Sequence, residues 1–217
     1  MTSNGDDDRL RFASGVVVSP GGGSLKAICV YCGSNFGNSP AYRAAAEELG
    51  RAMVARGQTL IYGGGNVGLM GVVADTVMQG GGEVIGIIPR SLLEREVGHR
   101  GVTRLEVVET MHERKTRMAE LCDAFIAMPG GWGTLEELAE AATWTQLGIH
   151  RKPVGLLNIL NFYDPFLAYL DNAVAAGFIR PPHRGLVVSA DTVEGVLKAV
   201  ETAKLPVLQK WLEKEQV

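Results

Sequence analysis

The chain has 217 residues, of which 46% are hydrophobic and 21% are charged, and its formal net charge is −3. These values are ordinary for a globular protein and allow one domain with a core large enough to fold alone. General nucleic-acid-binding proteins are usually basic, so the charge argues against nucleic acid as a partner. No apolar run approaches the roughly 18 residues that span a bilayer, and the N-terminus lacks a secretory signal pattern. We therefore expect a cytoplasmic protein with no membrane partner.

Composition divides the chain into one domain and two terminal segments. Residues 1–24 are polar and rich in glycine, so we expect a disordered or loosely attached tail. Residues 25–205 alternate between apolar runs and helical patterns and form the predicted domain. Residues 206–217 are predicted to be a C-terminal tail or a short helix.

The predicted elements of the domain alternate regularly between strand and helix. In chain order they are strand Ala27–Tyr31, helix Pro40–Arg56, strand Thr59–Tyr62, helix Val72–Gln79, strand Glu83–Ile88, a loop over 89–101, strand Leu105–Val108, helix Met111–Leu121, strand Ala124–Met128, helix Thr134–Leu147, strand Pro153–Leu157, helix Tyr163–Ala176, strand Leu186–Val188 and helix Val193–Thr202. Nearly continuous apolar strands separated by helices indicate βαβ units around a buried parallel sheet. We predict a single α/β domain with a Rossmann-like doubly wound parallel sheet and helices on both faces. Ligands of such sheets bind beyond the carboxyl ends of the strands.

The cysteines and histidines give little support for a metal or redox centre. Cys29 and Cys32 form a C-x-x-C pattern, but on or just after a strand their side chains point to opposite faces. A zinc or redox site would need a second pair or a helix start, so we expect buried or incidental thiols, Cys122 included. The histidines lack the spacing of metal ligands: His99, His112, His150 and His183. We predict no metal site and no cofactor.

Two glycine-containing loops follow the first two predicted strands. Gly33 and Ser34 offer a backbone N–H and a hydroxyl to a ligand, although a tight turn explains them equally well. The run Gly63–Gly68 fits G-x-G-x-x-G, and Glu83 lies at the distance of a ribose-binding acid, as in a dinucleotide site. This run follows the second strand instead of the first, which argues against NAD(P).

Arg114 and Lys115 are adjacent near the start of a predicted helix. A solvated basic face is the usual fate of such a pair. At this position, however, positive charge opposes the helix dipole, and a bound phosphate or carboxylate would offset that cost. The pair is therefore a candidate anion-binding site.

The segment Met128–Glu137 joins a predicted strand to a predicted helix through a glycine-rich turn. Unpaired backbone N–H groups at such a helix start bind anions, and glycines let a phosphate approach closely. Thr134 followed by Glu137 also fits a capping box, in which both side chains only satisfy backbone donors. Phosphate binding and helix capping are thus alternative interpretations of the same residues.

Three segments together resemble the lonely guy family of cytokinin riboside 5′-monophosphate phosphoribohydrolases, which are often mislabelled as lysine decarboxylases. They are GGG-x-x-GLMG from Gly63, MH-x-RK from Met111 and PGG-x-GT-x-EE from Pro129. The resemblance extends over 26–205 and implies catalytic roles for Arg114 and Glu137. With the motifs, it predicts these further substrate contacts: Gly33, Ser34, Gly64, Gly65, Glu96, Lys115, Gly130, Gly131, Trp132, Gly133, Thr134, Leu135, Glu136 and Thr143. Trp132 occupies a variable aromatic position of the family motif, and Glu96 could equally be a solvated loop charge.

The resemblance implies hydrolysis of the N-glycosidic bond of N6-substituted AMP, which yields free cytokinin base and ribose 5-phosphate. It also implies a homodimer whose active sites borrow residues from the neighbouring subunit, including the Arg-Lys region. The alternative is a non-catalytic mononucleotide-binding module of the same fold. A lysine decarboxylase would need pyridoxal phosphate on a lysine, and no pyridoxal signature surrounds Lys115.

Overall fold

The computed structural model describes residues 25–93 and 98–206. The predicted N-terminal tail, Glu96 and nearly all of the predicted C-terminal segment lie outside these residues. None of the described helices is long and apolar enough to cross a membrane.

Seven strands and eight α-helices make up the described residues. They are β1 (Ala27–Tyr31), α1 (Pro40–Ala55), β2 (Thr59–Tyr62), α2 (Gly68–Gln79), β3 (Val84–Pro89), α3 (Arg90–Leu93), β4 (Arg104–Val108), α4 (Met111–Leu121), β5 (Ala124–Ala127), α5 (Trp132–Leu147), β6 (Val154–Leu157), a 3₁₀ turn (Ile159–Asn161), α6 (Asp164–Ala175), α7 (Pro181–Arg184), β7 (Val187–Ala190) and α8 (Val193–Thr202).

All seven strands form one parallel sheet with the order β4-β3-β2-β1-β5-β6-β7. Strand β1 is central: Ile28 pairs with Leu60 of β2 on one side and with Ala124 of β5 on the other. The chain therefore winds outward in one direction to β4 and in the other from β5 to β7. This confirms the predicted doubly wound sheet, and its switch point lies between β1 and β5.

Alternate residues of the strands face two separate hydrophobic clusters. One cluster joins the sheet to α1, α2 and α8, and the other joins it to α4 and α5. Cys32 belongs to the first cluster and Cys29 to the second, so the prediction that they point to opposite faces is confirmed. All three cysteines are buried free thiols. Helices on both faces thus bury all of β5 and all but the first residue of β1 and β2, which explains their nearly continuous apolar sequences.

Two helices begin earlier than predicted, and two short helices were not predicted. Helix α2 begins at Gly68 instead of Val72. Two of its glycines lie against other backbone. A Cβ at Gly68 would lie 2.2 Å from the carbonyl carbon of Ser34, and a Cβ at Gly71 would lie 2.4 Å from the carbonyl oxygen of Asn66. Helix α5 begins at Trp132 instead of Thr134. The predicted loop over 89–101 contains α3, and α7 is additional.

Candidate active site

Loops at the carboxyl ends of β1, β2 and β5 meet at the switch point of the sheet. The Gly33 amide donates to the Pro129 carbonyl at 3.1 Å, which joins the β1 loop to the β5 loop. The Gly33 carbonyl accepts a hydrogen bond from the Leu69 amide at 3.0 Å, at the start of α2. The chain bends at Ser34 and Asn35. The hydrogen bonds of Gly33 fix the mutual positions of the three glycine-rich loops.

A cleft of about 180 Å³ opens between the β1 and β5 loops. Its walls combine backbone from the two loops with three aromatic side chains, Phe36, Tyr42 and Phe162. Four predicted contact residues line it, namely Gly33, Ser34, Gly130 and Gly131. The sequence motifs do not indicate the aromatic walls, because Phe36 and Tyr42 belong to no motif and Phe162 comes from a distant loop.

Helix α5 presents its N-terminus without a side-chain cap. Gly131 occupies the N-cap, and the Leu135 amide makes the first helical bond, to the Gly131 carbonyl at 3.0 Å. The amides of Trp132 and Gly133 precede that bond, and a Cβ at Gly131 or Gly133 would meet nothing within 4 Å. In α4 and α8, by contrast, Thr110 and Thr192 cap the helix with their hydroxyls. The α5 start is thus an open, positively polarised site suited to a phosphate.

Thr134 is the third residue of α5, and the capping-box interpretation of Thr134 is wrong. Its side chain is buried beneath the glycine turn, where a Cβ at Gly130 would lie 2.1 Å from the Thr134 Oγ1. The turn can close over Thr134 only because residue 130 has no side chain. A reciprocal cap exists instead at α4, where Thr110 accepts from the Glu113 amide and Glu113 accepts from the Glu109 amide.

Arg114 and Glu137 form a buried ion pair between α4 and α5. The Arg114 Nη1 lies 2.9 Å from the Glu137 Oε1, and each side chain is only 9% exposed. The Arg114 Nε donates to the Ile87 carbonyl at 3.2 Å, and Nη2 donates to the Gly63 carbonyl at 3.4 Å. The interpretation of Arg114 and Lys115 as a solvated basic face is therefore wrong, and the ends of β2 and β3 orient the guanidinium.

Gly63 makes room for this guanidinium. A Cβ at that position would lie 1.8 Å from the Arg114 Nη2, closer than any real contact. Gly63 belongs to the glycine run of the sequence, but the ligand contacts are predicted at its neighbours. Gly64 adopts a positive φ of 74° and accepts from the His99 amide at 2.8 Å, and Gly65 bridges to Gly98. Neither neighbour lines the cleft, so a substrate contact at Gly64 or Gly65 stays a prediction.

Lys115 points to α5 as well. Its ammonium donates to Glu136 and, at 3.1 Å, to Glu140, and its side chain is 7% exposed. Thr143 is exposed and donates its hydroxyl to the Ala139 carbonyl of its own helix. These positions keep Lys115 and Glu136 beside the Arg114–Glu137 pair and place Thr143 farther along α5.

Two other predicted contacts, Trp132 and Leu135, lie in the first four residues of α5. Trp132 is 88% exposed, and Leu135 packs against the second hydrophobic cluster. Glu96 lies outside the described residues. The described part of the chain holds no group of three or more His, Cys, Asp or Glu residues placed to bind a metal ion.

Burial raises the pKa of the Glu137 carboxyl, although the adjacent Arg114 guanidinium opposes that rise. The Glu136 charge raises the pKa of Glu137 further, and Lys115 lowers it. Burial also raises the pKa values of Cys29, Tyr31 and Cys32, so these neighbours are neutral. Glu137 is thus a carboxylate held in a largely dry site by one oriented cation.

The chain is similar to known proteins over most of its length. The family described as "Possible lysine decarboxylase" matches residues 70–200. A cytokinin riboside 5′-monophosphate phosphoribohydrolase of Oryza sativa subsp. japonica is 56% identical over 178 residues, 82% of this chain and 74% of the relative. A second one, from Arabidopsis thaliana, is 51% identical and covers 82% of this chain and 83% of the relative.

Solved structures show the same fold at greater distance. A molybdenum cofactor binding protein from the phototrophic bacterium Rippkaea orientalis superposes with a TM-score of 0.62 at 25% identity. The match covers 82% of this chain and 96% of that protein. By its identity to the two phosphoribohydrolases over most of its length, the chain belongs to the lonely guy family of cytokinin riboside 5′-monophosphate phosphoribohydrolases.

Proposed function

We propose that this enzyme hydrolyses the N-glycosidic bond of cytokinin riboside 5′-monophosphates, which are N6-substituted forms of AMP. The products are the free base and ribose 5-phosphate. The observation that carries this proposal is the buried Arg114–Glu137 pair next to the open start of α5. The names of relatives that are 51% and 56% identical support it.

The start of α5 supplies the binding site for the 5′-phosphate. Its first backbone amides are free of side-chain caps, and Gly131 and Gly133 leave the approach open. Backbone donors at a helix start hold a dianion without a metal ion. Phosphate binding there fixes the ribose relative to α5 and turns binding energy into orientation of the reacting bond.

Glu137 and Arg114 act on the reacting part of the nucleotide. Cleavage of the bond between C1′ and N9 leaves its electron pair on the base and positive charge on the ribosyl ring. The Glu137 carboxylate stabilises that charge and orients the water that adds to C1′. The proton that this water loses is transferred to the departing base, which becomes the neutral free base. Arg114 keeps the carboxylate ionised and positioned, and its guanidinium can bind ribose hydroxyls or phosphate.

Chromatographic detection of free base tests this function. We expect release from N6-isopentenyl-AMP and little or none from the corresponding riboside, because the riboside lacks the phosphate that orients the substrate at α5. AMP is the matched comparison for the N6 substituent. Equal rates with AMP would support hydrolysis but contradict specificity for cytokinin nucleotides, because AMP has no N6 substituent. Binding of all three without release would contradict hydrolysis and favour a nucleotide-binding module.

We also propose a homodimer in the cytoplasm. Large apolar side chains on and after α5 and α6 are exposed in the single chain, and burial by a second copy would explain them: Trp132, Leu147, Ile149, Tyr169 and Phe178. Trp132 lies at the phosphate site, so a partner covering it would also enclose the substrate. The free state of all three thiols supports the proposed location.

Light scattering after gel filtration should give twice the mass of the chain. Mixed dimers of Arg114→Met and Glu137→Gln chains then test whether the charged pair is shared. Because Arg114 contacts Glu137 of its own chain, we expect no recovery of activity in the mixture. Recovery to about a quarter of wild-type activity would instead show that Arg114 serves the neighbouring site, as the family resemblance implies.

A further inference from the structure

Helices α4 and α5 are joined by two ionic contacts made by consecutive residues. Arg114 on α4 pairs with Glu137 on α5, and the next residue, Lys115, pairs with Glu136 and Glu140. The first contact contains the two residues assigned to catalysis. The second contact lies directly beside it and has no part in the mechanism given above.

The second contact is built like an internal structural link. The Lys115 side chain is 7% exposed, whereas Glu140 is 23% and Glu136 is 53% exposed. A buried ammonium is costly without compensating charge, so Lys115 requires these carboxylates where it lies. Two of its three N–H donors are used on carboxylates of α5. These contacts connect α4 to α5 directly beside the Arg114–Glu137 pair.

We propose that Glu140 is a positioning residue, which acts through Lys115 to hold α4 against α5 where Arg114 meets Glu137. Glu140 lies nearly one helical turn after Glu137 and four residues after Glu136. The Glu136 and Glu140 side chains are therefore neighbours on α5, and Glu140 contacts Lys115 from the C-terminal side of Glu136. Three points of attachment, at Glu136, Glu137 and Glu140, define both the spacing and the rotation of the two helices. The kinetic part of this inference rests on the proposed function.

Kinetics of Glu140→Gln test the proposal, because glutamine keeps the shape and removes the charge. We expect kcat to fall about tenfold and KM to change less than twofold, since phosphate binding at the α5 start is untouched while the catalytic pair is misplaced. Glu120→Gln is the control, because it breaks an exposed ion pair of α4 with Arg117 and should leave both constants unchanged. An unchanged kcat in Glu140→Gln would overturn the proposal.

A charge exchange separates positioning from direct substrate contact. The double variant Lys115→Glu/Glu140→Lys keeps one ammonium and two carboxylates in the cluster, and the lysine at position 140 follows Glu136 by four residues, a favourable helical pair. We expect the double variant to recover kcat to within about threefold of wild type, well above Lys115→Glu alone. If the double variant is no more active than Lys115→Glu, Lys115 contacts the substrate itself and the proposal fails.

Unfolding equilibria provide a readout that needs no activity. If the two ionic contacts act as one unit, Glu140→Gln and Glu137→Gln should not combine independently. Each variant changes the equilibrium constant for unfolding by some factor relative to wild type. We expect the factor for the double variant to differ about fivefold from the product of the factors for the two single variants. Independent effects would contradict a shared positioning role. If the wild-type enzyme releases no base, the proposed function fails, and this cycle alone decides whether Glu140 positions the pair.

Discussion

Replacing Glu137 by glutamine is expected to lower kcat about a thousandfold. Glutamine has the same shape, but it cannot carry the negative charge that stabilises a ribosyl cation. The substitution also leaves the Arg114 guanidinium without its partner, although hydrogen bonds to the Ile87 and Gly63 carbonyls still hold that side chain. We therefore expect a folded protein that still binds nucleotide, which circular dichroism and equilibrium binding of AMP will check.

The matched comparison for Glu137→Gln is Glu136→Gln. Glu136 is half exposed and hydrogen-bonds Lys115 instead of Arg114, so its loss should cost less than about tenfold in kcat. Similar losses in the two variants would show that charge on α5, and not the carboxylate at position 137, supports turnover. Wild-type turnover in the Glu137→Gln variant would exclude Glu137 as the catalytic carboxylate.

The pH dependence of kcat gives a second test of Glu137. The carboxyl must be ionised to act, and burial raises its pKa above the ordinary range of glutamate. Activity should accordingly fall as the pH decreases through that raised pKa, at a higher pH than an exposed glutamate would give. In Glu137→Gln the residual rate should lack this acidic limb.

The second large effect is expected from Gly63→Ala, which adds one methyl group. The new Cβ would lie 1.8 Å from the Arg114 Nη2, so the guanidinium must leave its position against Glu137. The displaced atom is the end of a flexible side chain, and we expect the fold to persist with a loss of about 1–2 kcal/mol. Since misplacement of a catalytic group by an ångström costs about a hundredfold, kcat should fall at least that much.

Gly185→Ala is the control for this experiment. Gly185 has an ordinary φ of −74°, and the atom nearest to a Cβ at that position would be the Pro182 carbonyl oxygen, at 3.5 Å. Its kcat and thermal stability should match those of wild type. A Gly63→Ala enzyme with wild-type kcat would show that Arg114 can catalyse from another position, and the buried pair would lose its assigned role.

The sequence was most informative about the sheet. Apolar runs bounded by turns located the inner strands β1, β2, β3, β5 and β6, because strands covered on both faces must be apolar throughout. The edge strands β4 and β7 are partly exposed, and their predicted bounds differ from the observed ones. Helix starts were harder to predict. Glycine is typical of loops, so Gly68 and Gly131 do not indicate a helix start. Contact with distant backbone explains the glycine at position 68, and the open approach to the α5 start explains the glycine at position 131.

The sequence by itself determined the fold class and the family, because periodicity and motifs can be read along the chain. The catalytic roles of Arg114 and Glu137 stay a prediction from the family resemblance. Only the tertiary structure decided which charges meet. The segment between Arg114 and Glu137 contains β5 and the glycine turn, so their contact depends on how α4 and α5 pack. The need for glycine at position 63 arises in the same way, since it is a property of the space that the Arg114 side chain fills.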